Sequence, residues 1–103
     1  MTEVKIPFKP MFKEAMLTGK KTWTSRTRQL ANPGDTFQAF GTTFRIKGIY
    51  RMKLDVVTWL HHKEEGCSTP AEFIQVWKQI HPRKGYLPLQ EVIVHEFQKE
   101  ATP

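Results

Sequence analysis

Between Asn32 and Arg51 the chain reads turn, strand, glycine, strand, and that run commits it to a sheet. Asn32-Pro33-Gly34-Asp35 is a type II turn signal. Proline presets φ at the second position and glycine accepts a positive φ at the third. Thr36 to Phe40 reads as a strand, and Gly41 marks a hairpin connection. Thr43 to Arg51 follows, with Phe44 and Ile46 alternating against Arg45 and Lys47. Gly48 inside it predicts a bulge or a close backbone approach. Consecutive strands joined by such turns imply an antiparallel or mixed sheet.

The flanking segments fit around that sheet. Val4 to Phe8 alternates like a strand, with Pro7 confining it to an edge. Pro10 suits a helix start, Phe12, Ala15 and Met16 share a helical face, and Gly19 stops it. Thr22 to Arg26 reads as the next strand. A helix is predicted from Leu54–Asp55 to Gly66. A third opens at Thr69-Pro70-Ala71-Glu72, with threonine as cap, proline at the first position and glutamate three residues on. Phe73, Val76, Trp77 and Ile80 follow at helical spacing, and Pro82 ends the run. Glu91 to Phe97 is the closing strand. About five strands and three short helices, in the order β-α-β-β-β-α-α-β, predict a sheet that curls into a small barrel.

The 103 residues make one domain, 1–103, with its core over about 4–98 and a loose tail at 99–103. Sixteen basic and ten acidic residues give a net charge of +6, which favours anionic partners, nucleic acid first. Cys67 is the only cysteine, which excludes an internal disulfide and fits a reducing compartment. The N-terminus lacks the apolar stretch of a signal peptide, and no apolar run approaches a membrane span. The expectation is a cytoplasmic monomer with no membrane partner.

The chemistry concentrates in Gly19-Lys20-Lys21-Thr22-Trp23-Thr24-Ser25-Arg26. A threonine hydroxyl becomes a nucleophile when a neighbour takes its proton, and a lysine does that only when neutral. Strand parity puts Thr22, Thr24 and Arg26 on one face and Lys21, Trp23 and Ser25 on the other. Lys21 therefore meets Thr24 only if it lies in the turn before the regular strand. A half-buried strand with a solvated basic end is the competing reading. Glu72 likewise reads either as a capping-box residue or as a site carboxylate. Trp23, placed among basic residues, is a base-stacking candidate, whereas Trp77 lies on an apolar stripe. The four histidines and Cys67 make no zinc spacing, so no metal or other cofactor is expected.

Gly19-Lys20-Lys21-Thr22-Trp23-Thr24-Ser25-Arg26, then Pro33-Gly34-Asp35, then Thr69-Pro70-Ala71-Glu72-Phe73 and Ile80-His81-Pro82, together resemble the ASCH superfamily over about residues 8–97. The resemblance implies an α+β, PUA-like mixed β-barrel of about five or six strands with two or three short helices. In size and spacing the chain is most similar to the small bacterial amidohydrolases that remove the acetyl group from N4-acetylcytidine. That similarity implies Lys21, Thr24 and Glu72 as catalytic residues, and the basic, aromatic stretch around them puts Lys20, Trp23 and Arg26 about the substrate. It implies a nucleoside substrate and no metal. Other ASCH proteins bind RNA, so an RNA-binding module is the alternative, with Trp23 on a base and Lys20, Arg26 and Arg28 on phosphates. A ribonuclease is a third reading, without an obvious histidine pair to serve it.

Overall fold

The computed structural model describes residues 2–100. A single 3-10 turn, Pro10–Phe12, runs into helix α1, Lys13–Leu17. Strands β1 (Trp23–Arg26), β2 (Thr36–Ala39) and β3 (Thr42–Lys53) follow. Helices α2 (Leu54–His61) and α3 (Pro70–Ile80) then lead to β4 (Glu91–Lys99). The four strands form one antiparallel sheet in the order β1-β4-β3-β2. This is the small α+β, PUA-like arrangement, in which the last strand enters between the first and third.

Local chemistry sets these elements. Asp35 N–H returns to Asn32 O at 3.0 Å and Gly34 sits at φ 93°, closing the turn before β2. Phe40 and Gly41 both take positive φ, 54° and 74°, as a two-residue type I′ hairpin requires. The β3–β4 register slips between Ile46 and Gly48, so Gly48 marks a bulge. An added Cβ there would lie 2.4 Å from the Tyr50 hydroxyl. Thr69 caps α3, its Oγ1 accepting from Glu72 N–H at 3.1 Å.

Two apolar clusters cover the two sides of β4. Trp23, Leu54, Val57, Cys67, Phe73, Trp77, Val92 and Val94 pack together beneath α2 and α3. Ile6, Met16, Ala31, Phe37, Phe44, Ile46 and Phe97 form the other, with Phe8 and Phe12 against it. β4 supplies Val92 and Val94 to one and Phe97 to the other, the alternation of a strand buried on both faces.

Two expectations change. Val4–Phe8 is not a strand: the described N-terminal segment makes one parallel bridge, Glu3 to Thr36, and Pro7 and Pro10 remove donors a longer ladder would need. Among the described residues the barrel is accordingly a four-stranded curl, with parallel pairing limited to that bridge. The tail does not loosen at Lys99, which is still in β4, and Glu100 is held by Thr43 O through its N–H and by Arg45 Nε at 2.8 Å. Residues 101–103 of the expected tail lie outside the described residues.

Candidate active site

Lys21 reaches the interior because the chain is irregular where α1 hands over to β1. Gly19 takes φ 80° after the helix, and Lys21 N–H returns to Ala15 O at 2.8 Å. The N–H groups of Thr22 and Trp23 then both donate to Glu64 O, at 2.8 and 2.9 Å. Two donors on one carbonyl break the strand's alternation, so Lys21 stands ahead of regular strand geometry, as parity required. Its partner segment follows α2, where Glu65 bridges Lys21 through the backbone. Gly66, at φ 90°, lets the two backbones approach: a Cβ there would sit 2.9 Å from Lys21 Cβ.

The side chains meet in the same place. Lys21 Nζ donates to Glu65 Oε1 and to Glu65 O, both at 3.1 Å. Ser25 Oγ donates to Glu65 Oε2 at 2.7 Å. Lys21 and Glu65 are only 4% and 5% exposed at their side chains, so this is a desolvated ion pair with each carboxylate oxygen bonded. Lys21 Nζ also lies 4.8 Å from the centre of the Phe12 ring. Beside the pair, Arg26 Nε donates to Thr24 Oγ1 at 3.0 Å, and Arg26 Nη2 to Pro7 O at 2.7 Å. The Phe8 ring supports the guanidinium from 4.9 Å.

These groups line one cleft of about 350 Å³. Lys21, Thr24, Ser25, Arg26 and Glu65 form its polar floor. Phe73, Val76, Trp77 and Ile80 of α3 form one wall, and Phe8 and Phe12 the facing one. An apolar slot with a few convergent polar groups suits a flat, partly polar small molecule. Among the described residues, no three His, Cys, Asp or Glu side chains gather as a metal site.

Environment tunes several groups near the cleft. Burial lowers the pKa of Arg26, against a weaker opposing pull from Glu65. Burial, then the charges of Arg26 and Lys84, lower that of His81, whose ring stacks on Trp77 at 4.3 Å. Burial pushes the Cys67 thiol up to about 11, with the Glu72 charge adding to it. His95, fully buried beside Thr24 in the β1–β4 register, is lowered chiefly by burial. Its Nε2 accepts from Leu30 N–H at 2.9 Å, which fixes the proton on Nδ1, facing Ile93 O.

The structure brings together Lys21, Thr24 and Arg26 of the sequence-derived set, and leaves three others outside. Glu72 is exposed at the start of α3, where its N–H bonds Thr69 and its Oε1 accepts from Ser68 N–H at 3.3 Å. The carboxylate facing Lys21 is Glu65, seven residues earlier. Trp23 turns its ring into the core between His61, at 4.3 Å, and Tyr50, at 5.8 Å, and offers no free face for a base. Lys20 is exposed and does not line the cleft. Sequence reasoning missed Glu65 and Ser25. For Glu65 a signal was present in Gly66, a glycine directly after a charged pair, which marks a tight backbone approach.

No family model matches the chain, and no curated protein matches it. Solved structures do. An ASCH domain from Lactobacillus crispatus matches 95% of this chain and 79% of its own length, at TM-score 0.68 and 8% identity. A Pyrococcus furiosus protein solved by NMR matches 98% of this chain and 96% of its own, at TM-score 0.63 and 18% identity. An Enterococcus faecalis protein matches 95% and 78%, at TM-score 0.63 and 16% identity. At such identities the likeness speaks for the fold alone.

Proposed function

We propose, for a chain with the ASCH-domain fold, that the cleft hydrolyses the N4-acyl amide of N4-acetylcytidine or a related acylated cytidine. The observation that carries the reading is the buried Lys21–Glu65 pair set beside Thr24 and Arg26 in an apolar cleft. A proton acceptor, a hydroxyl and a cation converge there in a place that excludes most water, which is what acyl transfer needs.

Glu65 accepts a proton from the Lys21 ammonium, to which it is already bonded, and leaves a neutral amine. Lys21 Nζ takes the Thr24 hydroxyl proton as Oγ1 attacks the acyl carbon. Arg26, 3.0 Å from that oxygen, stabilises the negative charge developing on the former carbonyl oxygen. The C–N bond breaks and the proton carried by Lys21 passes to the departing cytosine N4. Lys21, neutral again, takes a proton from the water that attacks the Thr24 ester and passes it to Thr24 Oγ1 as the acid leaves, and Glu65 then returns its proton to Lys21, restoring the ion pair. Ser25 holds Glu65 Oε2 and so keeps Oε1 turned to Lys21. The base would lie between the aromatic walls. A reducing compartment such as the cytoplasm suits the free, buried Cys67. No helix among the described residues is long and apolar enough to cross a membrane.

The test is an ultraviolet assay of cytidine release from N4-acetylcytidine in the presence of EDTA. The parent should turn over. Lys21→Ala, Thr24→Val and Glu65→Gln should each lose about 10²–10⁴-fold in kcat/KM, while Glu72→Gln should stay near parent activity. Full activity in Thr24→Val or Glu65→Gln, with the fold retained, would overturn the assignment of roles. Absence of turnover with acetylated and longer N4-acyl cytidines would return the chain to the RNA-binding reading. That reading draws on the net charge of +6, but no longer on Trp23.

A further inference from the structure

The cleft holds more positive charge than amide hydrolysis uses. Lys9, Lys21 and Arg26 line it against one carboxylate, Glu65. That carboxylate is committed, one oxygen to Lys21 and the other to Ser25. Arg26 is half-buried and its hydrogen bonds go to neutral oxygens of Thr24 and Pro7. Among the described residues it has no salt bridge, and Glu65 acts on it only across space. Lys9 stands exposed at the rim, its ammonium without a partner among the described residues.

His81 lines the same cleft from the end of α3 and feels both Arg26 and Lys84. A positive field therefore covers this side of the cleft, and Glu65, acting across space, offsets only part of the desolvation of Arg26. A tetrahedral oxyanion would supply it. The guanidinium fork matches two oxygens of a phosphate, Lys9 offers a mobile point charge, and an imidazole N–H adds a donor.

We infer that Lys9, His81 and the Nη1 edge of Arg26, which its bonds to Thr24 and Pro7 leave unused, form a phosphate site, so that the cleft takes its nucleoside as a phosphate ester. The inference rests on the nucleoside reading above and goes beyond it by naming the substrate class. The phosphate belongs either to a mononucleotide or to a link in an RNA strand, and the chemistry that recognises it is the same.

The test uses product-type ligands, so it does not depend on turnover. Cytidine, cytidine 5′-monophosphate, cytidine 3′-monophosphate, a five-residue cytidylate oligomer and inorganic phosphate are titrated into the full chain, with amide NMR shifts as the readout. At least one monophosphate should bind about tenfold tighter than cytidine, the worth of one charge-assisted contact. In Lys9→Gln/His81→Gln that ratio should fall at least about threefold, with the urea midpoint unchanged. An oligomer that binds tighter than either monophosphate, with a steeper salt dependence, assigns the phosphate to RNA. An oligomer that binds no better assigns it to a mononucleotide. Equal affinity for cytidine and both monophosphates overturns the inference. So does an unchanged ratio in the folded double variant, or no binding by any ligand, inorganic phosphate included. Tight nucleotide binding without hydrolysis of N4-acyl cytidines would remove the hydrolase reading and leave the phosphate site. Hydrolysis without a phosphate preference would do the reverse.

Discussion

Replacing Lys21 by methionine removes one end of a pair that water barely reaches. Methionine keeps an apolar stem of similar length and removes the ammonium, with its place over the Phe12 ring, so the change acts mainly on charge. Glu65 is left 5% exposed, with Ser25 as its remaining side-chain donor. An uncompensated buried charge of this kind costs about 3–5 kcal/mol, a large share of the roughly 5–15 kcal/mol that holds a domain together. With a urea m-value of about 2 kcal/mol/M for a domain of this size, the midpoint should fall by roughly 2 M. Lys21→Met/Glu65→Met removes both charges and leaves the Ser25 hydroxyl and the Glu65 carbonyl without their partners. It should recover all but about 2 kcal/mol of the loss, while remaining inactive. The assay is urea unfolding followed by circular dichroism, with m compared across the set. A loss below about 1 kcal/mol in Lys21→Met at unchanged m would refute the reasoning. So would a double variant no more stable than the single, because either result means that the pair is not desolvated.

Three further outcomes follow from the same geometry. The fold keeps His95 neutral, with its pKa lowered from 6.5, and protonation would set a second N–H against that of Leu30. Its contribution is therefore complete above pH 6.5 and is lost as pH falls through the lowered folded value, so the urea midpoint should drop between pH 7 and pH 5. That drop should shrink in His95→Gln, and an equal drop in both would refute this account. Cys67, buried and pushed up to about 11, should react with a disulfide reagent at pH 8 far more slowly in the native protein than in urea; equal rates would contradict its burial. Thr69→Ala should cost about 1 kcal/mol through the lost cap of α3, read as a urea-midpoint shift with no change in the activity of the folded fraction.

What the sequence disclosed and what it withheld divide along one physical line. The Asn32–Asp35 turn, the Gly48 bulge and the Thr69 cap are decided by residues within a few positions of each other, and all three stand in the structure. The Lys21–Thr24–Arg26 grouping was legible for the same reason, since one short segment carries it. Glu65 was not, because it meets Lys21 across 44 positions and its own neighbourhood, His61-His62-Lys63-Glu64-Glu65, reads as a solvated turn. Glu72 drew attention in its place because the capping pattern around it is strong, and the structure uses it as that pattern says. Trp23 lay among charged residues in sequence and in the core in space, since strand alternation sends its ring to the opposite side from Thr24 and Arg26. The first strand failed because two prolines outweigh three alternating apolar side chains.

The cleft lies along a seam. Cys67, Phe73 and Trp77 belong to the apolar cluster beneath α2 and α3, while Phe8 and Phe12 pack against the cluster on the other side of β4. A molecule seated between those walls touches both packing units, so the two cease to breathe independently when it binds. Occupancy then raises the free energy of sub-global opening on either side. Amide hydrogen exchange should slow together in α3 and in the segment around Phe8–Phe12, although among the described residues no backbone hydrogen bond joins α3 to that segment.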